Sequence, residues 1–170
     1  MRYGRYDPEH FRHPGEARAL KYLEGLGHIL LRHNYHARFG EIDLITCVPA
    51  EDYCLHAVEV KAWNTRKQQA SPFVHPLNAM TPRKQAKMRR AMESFRMHAT
   101  RDFENPIALR STAVDEDAAL KRRVVDEPAW ILADAGCRSA IVDLDVSFDL
   151  LWISGDVNEA EGCEFFTNLF

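Results

Sequence analysis

Two β-type runs that carry acids among apolar residues constrain this chain more than any other feature. In Glu41-Ile42-Asp43-Leu44-Ile45-Thr46-Cys47-Val48, the two-residue period of a strand sends Glu41, Asp43 and Ile45 to one face and Ile42, Leu44 and Thr46 to the other. A following strand over 53–63 puts Ala57, Glu59 and Lys61 on one face and Val58, Val60 and Ala62 on the opposite one. Successive strands therefore each present a carboxylate to one sheet face, with a lysine two positions after the second. Neighbouring strands lie about 4.8 Å apart, so Asp43 and Glu59 can converge on one hard cation. Burying two acids together without a cation or a proton is costly, and bound Mg²⁺, or Mn²⁺ in its place, resolves that cost. Such an ion polarises a phosphoryl oxygen and acidifies a bound water, while a nearby ammonium orients the nucleophile or stabilises developing charge. The chemistry implied is phosphodiester hydrolysis. The spacing alone is degenerate, and a surface Asp with a Glu-Lys pair on an edge strand stays open as the plainer reading.

The surrounding chain supplies context. A helix is predicted over 14–26, with Pro14 in its first turn, Leu20 and Leu23 at one-turn spacing, and Gly25 or Gly27 at its end. Glu16 then falls at the N-terminal end of the buried face, as a third acid beside the sheet; an acid there also suits the helix dipole on its own. Residues 28–32 read as a short strand, and the polar stretch to Phe39 as a turn or the arm of a hairpin. Thr81-Pro82 opens a second helix whose apolar stripe, Met88, Met92 and Phe95, belongs to a core, with Arg83, Lys84, Lys87 and Arg90 beside it. Further on, 116–122 reads as a short helix and 140–146 and 148–154 as two strands. Phe165, Phe166 and Phe170 read as a tail docked on the core, with a homodimer contact as the alternative.

Net charge is only -3, but it is segregated. Residues 1–60 balance at -2, residues 61–101 at +9 and residues 102–170 at -10. The basic block, which also holds Arg66 and Lys67, starts at Lys61, beside the acids. By charge alone it is either a phosphate-facing surface or a solvated helical face. With 170 residues and 46% hydrophobic content the chain suits one globular domain and is not disordered. No apolar stretch approaches the ~20 residues of a membrane span, and the charged N-terminus lacks the apolar core of a secretory signal, so a cytoplasmic protein is expected. Cys47, Cys54, Cys137 and Cys163 have no close C-x-x-C spacing and read as buried free thiols. His33 and His36 read as loop polar residues rather than zinc ligands.

Gly15-Glu16-Ala17 opening a helix, His33-Asn34, Gly40-Glu41-Ile42-Asp43-Leu44-Ile45 and Val58-Glu59-Val60-Lys61 together resemble the YraN-like family of uncharacterised bacterial proteins. Pro82-Arg83-Lys84-Gln85, Phe148-Asp149-Leu150 and the terminal Asn168-Leu169-Phe170 extend the likeness, which covers about 13–98 and 145–170. That family is similar to archaeal Holliday junction resolvases. The resemblance implies an α/β, restriction-endonuclease-like fold of the PD-(D/E)xK type, with a central mixed sheet of four or five strands flanked by helices. It implies Asp43, Glu59 and Glu16 as metal ligands, Lys61 as the catalytic lysine, and Lys84 as a helical lysine that meets a phosphate. Residues 1–12 then form an N-terminal extension, and 101–139 an acidic insertion in a single domain over 13–170.

The function expected is a Mg²⁺-dependent endonuclease acting on DNA, branched or otherwise structured, with Arg66, Lys67, Arg83, Lys84, Lys87 and Arg90 as the DNA-facing set. Two alternatives belong to other classes: a nucleic-acid-binding module that keeps the nuclease fold without turnover, and an interaction protein that uses the acidic C-terminal portion.

Overall fold

The structure, a computed structural model, describes residues 11, 14–63, 75–101, 128, 131–133, 135–137, 139–154 and 162–170. Helix α1 (Pro14–Gly25) is followed by strands β1 (Ile29–Ala37), β2 (Gly40–Val48) and β3 (Cys54–Trp63), helix α2 (Pro82–Arg101), and strands β4 (Val146–Ser154) and β5 (Cys163–Phe166). The strands form one sheet in the order β1-β2-β3-β4-β5. All pairs are antiparallel except β3 with β4, which run parallel. This is an α/β fold with a mixed sheet flanked by helices, consistent with a restriction-endonuclease-like arrangement. Among the described residues no helix is long and apolar enough to cross a membrane.

Each helix covers its own face of the sheet. Ala19, Leu20 and Leu23 of α1 bury against Leu44, Val58, Leu151 and Ile153. Met88, Met92 and Phe95 of α2, the expected stripe, bury against Ile42, Ile45, Ala57 and Leu150 on the other face. Helix α2 starts as Thr81 and Pro82 predict, with the Thr81 hydroxyl accepting the Lys84 N–H at 3.3 Å. Gly40 sets how closely α2 approaches. A Cβ there would lie 2.7 Å from the Lys87 carbonyl oxygen and 2.9 Å from the Lys87 Cβ, so only glycine lets the helix rest on the start of β2.

Several sequence expectations are corrected. Strict alternation along β2 fails, because Ile42 and Ile45 share the α2 face while Leu44 faces α1. The break coincides with Asn34, at φ +48 on the position between the His33–Leu44 and Tyr35–Ile42 pairs and therefore opposite Asp43. A left-handed residue there rotates the ladder and releases β2 from its two-residue period. Strand β1 runs to Ala37, so His33 and His36 lie in a strand rather than a loop. The strand expected at 140–146 is mostly a turn, closed by the Asp143 N–H on the Ala140 carbonyl at 2.9 Å, although Ile141 and Leu144 are buried. One strand, β4, starts at Val146 instead. The docked tail is itself partly a strand, β5, with Phe165 and Phe166 on opposite faces and Phe170 stacked on Phe148 at 4.8 Å. All four cysteines are free, but Cys54 and Cys163 are only partly buried. The expected helix at 116–122 and most of 1–12 and 101–139 lie outside the described residues.

Gly40→Ala forces a Cβ against helix backbone, and overpacking of this kind costs about 1–3 kcal/mol. Urea denaturation should therefore give a lower midpoint for the variant with an unchanged slope; equal midpoints would show that α2 does not rest on Gly40.

Candidate active site

Strand β3 keeps the period expected of it. Ala57 packs under α2, so Glu59 and Lys61 point to the α2 side at the C-terminal end of the strand, while Val58 and Val60 face α1. Glu59 is almost wholly buried, at 2% exposure. Its Oε1 lies 2.7 Å from the Lys61 ammonium and its Oε2 lies 2.6 Å from that of Lys84. Lys84 thus reaches down from the first turns of α2 onto a carboxylate. The sequence places it on a phosphate-facing surface with Arg83 and Lys87, and the structure puts its ammonium on Glu59 instead. The seating of α2 on Gly40 explains this, because Lys84 lies about one turn before Lys87 on the same helix side.

Asp43 reaches the same place from β2. Ladder pairing between β2 and β3 ends at Leu44 and Val58, and beyond it the Asp43 Oδ2 accepts the Val60 N–H at 2.8 Å. The side chain thereby satisfies a strand donor and is fixed next to Glu59. Burial, and then the neighbouring Glu59 charge, push the Asp43 carboxyl up to about 7, against the pull of the Val60 N–H, Lys84 and Lys61. For Lys61, burial disfavours the charge, but the hydrogen bond and charge of Glu59, with Asp43 and Glu41 behind them, outweigh it and raise its pKa. Lys61 is therefore an ammonium at neutral pH.

Glu16 approaches from the α1 side. Helix α1 sits closely over the end of β3, since a Cβ on Gly15 would lie 3.1 Å from the Ala62 Cβ. Glu16 is buried, and its Oε2 accepts the Asn34 side-chain N–H at 2.9 Å. Asn34 stands across from Asp43 in the β1–β2 ladder, so one residue both breaks the strand period and holds the third acid. Of the four residues read as a cluster, Asp43, Glu59 and Lys61 are electrostatically joined, and Glu16 is held at the neighbouring strand position. Residue reasoning assigned no role to Asn34; its signal was the His33-Asn34 pair, with Asn as the side chain most tolerant of the left-handed region after glycine.

The basic set is less uniform than expected. Arg83 and Lys87 are exposed; Arg90 is exposed and its guanidinium lies 6.0 Å from the Phe39 ring centre. Arg66 and Lys67 lie outside the described residues.

A family model for the uncharacterised protein family UPF0102 matches residues 15–115, which carry Glu16, Asn34, Asp43, Glu59, Lys61 and Lys84. The chain belongs to this family. UPF0102 is the YraN family that the sequence motifs resemble, and the match runs into the segment 101–139. Among relatives, a UPF0102 protein of Campylobacter concisus is 47% identical over 47 residues, 28% of this chain and 40% of that protein. One of Bifidobacterium longum subsp. infantis is 34% identical over 84 residues, 49% of this chain and 62% of that protein. One of Campylobacter hominis is 42% identical over 52 residues, 31% of this chain and 44% of that protein. The chain thus spans from 40% to 62% of the length of these relatives.

Among the described residues Glu16, Asp43 and Glu59 are not gathered as closely as the ligand atoms of Glu51, Cys54 and His56, so only the type of donor, not a closed ligand set, suits a hard divalent cation. Asp43, Glu59 and Glu16 offer only oxygen atoms, and the upward shift of Asp43 comes first from burial and then from the Glu59 charge beside it. In this UPF0102 chain without metal, Asp43 is protonated up to about pH 7 when folded and only to about pH 3.8 when unfolded. The native state then binds the extra proton between those values, so stability falls as pH rises through that window. With a chelator present, Asp43→Asn should flatten the decline in melting temperature between pH 4 and pH 7. An unchanged pH profile in the variant would mean that Asp43 is not the group responsible.

Proposed function

We propose that the protein is a metal-dependent endonuclease that hydrolyses phosphodiester bonds in DNA, branched or structured DNA included. The observation that carries this reading is the meeting of Asp43 and Glu59 from adjacent strands with the Lys61 ammonium 2.7 Å from Glu59. Asp43, Glu59 and Glu16 would hold Mg²⁺, or Mn²⁺ in its place. When bound, that ion would polarise the scissile phosphoryl group and acidify a water. Lys61 is held charged, so it cannot take a proton from the water; it can orient that water by donating to it and can stabilise negative charge developing on the phosphoryl oxygens. Glu59 anchors the Lys61 ammonium, and Lys84 holds Glu59 from the opposite side. Val60 fixes Asp43 through its N–H. Arg83, Lys87 and Arg90, with Arg66 and Lys67, would meet the DNA backbone, and the reading takes the protein as a cytoplasmic one.

A second reading has one observation in its favour. Both Glu59 oxygens already face ammonium groups, so the acids can be satisfied without a metal. That suits a nucleic-acid-binding module without turnover.

A cleavage panel of single-stranded, duplex, flap and four-way-junction DNA with Mg²⁺ or Mn²⁺ separates the two. Metal-dependent cutting that disappears in Glu59→Ala supports the nuclease, binding without cutting supports the module, and neither cutting nor binding ends both. Lys61→Met keeps the aliphatic stem and removes the charge. It should lower the single-turnover rate about 10²–10³-fold while affinity for the same DNA changes little; an unchanged rate removes the catalytic role of Lys61.

Exposed phosphate contacts should make binding fall with salt at a log–log slope near -0.9 per neutralised phosphate on duplex DNA. Reversing the charge of Arg83 and Lys87 together should make that slope shallower. Lys84 is a poor choice for this test because it also supports Glu59.

A further inference from the structure

The other end of β3 holds a second group of ligand-type side chains that the nuclease reading does not use. Cys54 and His56 are two residues apart on the strand and so share a face. Glu51 closes a 3-10 turn, Pro49–Glu51, just before the strand. Asp52 and Tyr53 follow in the left-handed region at φ +49 and +61, and the Tyr53 N–H returns to the Val48 carbonyl at 3.1 Å. This reversal brings Glu51 back over the start of β3. One ligand atom from each of Glu51, Cys54 and His56 lies within 4.8 Å of the other two.

The state of His56 points to a ligand. The residue is 3% exposed. Its Nδ1 lies 2.6 Å from the Asp149 Oδ2, and the other oxygen of that wholly buried carboxylate accepts from the Ser147 hydroxyl and from the Asn168 N–H at 3.0 Å. Asp149 therefore acts as an acceptor, and Nδ1 carries the proton. In the neutral ring Nε2 is then a lone pair. It is buried, has no hydrogen-bond partner among the described residues, and faces the Glu51 Oε2 at 3.4 Å. A lone pair aimed at a carboxylate oxygen is repulsive unless a proton or a metal ion sits between them.

The distances suit an ion. With Zn–N and Zn–O bonds near 2.0–2.1 Å, the N···O edge of a tetrahedral site is about 3.3 Å, close to the 3.4 Å between His56 and Glu51. The edges to a sulfur are about 3.5–3.6 Å, and all three ligand atoms lie within 4.8 Å of one another, so no pair needs to close by more than on the order of 1 Å. Glu51 is exposed and Cys54 only partly buried, so both side chains can adjust by rotamer changes. The Asp149–His56 contact matches a common support for zinc-bound histidine, in which a carboxylate fixes the ring and its tautomer from behind.

We propose that Glu51, Cys54 and His56 bind one divalent ion of the Zn²⁺ class, with Asp149 positioning His56 and one coordination position left open. The mixture of thiolate, imidazole and carboxylate favours Zn²⁺ or Co²⁺ over Mg²⁺. The site is separate from the carboxylate cluster, since His56 precedes Glu59 by three residues, about 10 Å along β3, and faces the other side of the sheet. It does not depend on nuclease activity.

Co²⁺ titration of the chelator-stripped full-length protein tests this, because a cobalt–thiolate bond gives a charge-transfer band in the near ultraviolet. One Co²⁺ per chain should produce the band, and Zn²⁺ should displace it. Cys54→Ser should abolish it, whereas Cys163→Ser and Glu59→Gln should retain it. Glu51→Gln alters an exposed side chain and is expected to leave folding intact while weakening Co²⁺ binding at least about tenfold. Asp149→Asn should weaken it about 10–100-fold in protein shown to be folded by circular dichroism. Absence of the band in the unmutated protein, its survival in Cys54→Ser, or indifference to Glu51→Gln would each overturn the proposal.

Discussion

Glu59 is the residue on which the rest of the arrangement depends. A carboxylate at 2% exposure has lost nearly all its hydration, and an isolated charge in such a place costs several kcal/mol. Compensation comes from two ammonium groups on different elements, Lys61 from the same strand and Lys84 from α2. The contact with Lys84 ties α2 to the sheet at the point where Gly40 lets the helix settle. Asp43 is only partly buried and is accommodated differently, through the Val60 N–H and an elevated pKa. Burying one acid thus engages a helix side chain and a strand side chain and adds to the elevated pKa of a neighbouring carboxyl.

Much of this was legible in the residues. Period two along β3 correctly put Glu59 and Lys61 together on the face of Ala57, because that strand is regular and apolar on both sides. Helices α1 and α2 announced themselves through Pro14, Thr81-Pro82 and stripes at helical spacing. The alternation along β2 misled, since it assumes an undistorted strand and the distortion comes from Asn34, a residue on the neighbouring strand. Strand β1 is half-buried at the edge of the sheet, so it needs no apolar run and leaves only a weak pattern. Residues 140–146 have the composition of a strand, but Ile141 and Leu144 bury their side chains from a turn.

The candidate site divides in the same way. Asp43, Glu59 and Lys61 could be read from local spacing, because two neighbouring strands brought them together. Lys84 carried a signal only as one more cation in a basic block, and its contact with Glu59 depends on a packing distance that no local pattern encodes. The Glu51, Cys54 and His56 group was hidden for a similar reason. Searching for paired cysteines finds none, and the partner that orients His56, Asp149, lies 93 residues away in the chain.

The connectivity of the sheet separates its parts in cost. Strands β1, β2 and β3 form a continuous antiparallel meander joined by short turns, and they carry Asn34, Asp43, Glu59 and Lys61. Strand β4 joins β3 in parallel only after residues 64–145 have intervened. The free-energy penalty for closing such a long connection grows with the logarithm of its length, by only about 0.6 kcal/mol for each doubling. Insertions or deletions in the parts of that connection outside α2 therefore add little closure cost to the β1–β3 meander. Length can vary there on either side of α2, whereas the meander, whose closures are short and local, has little room to vary.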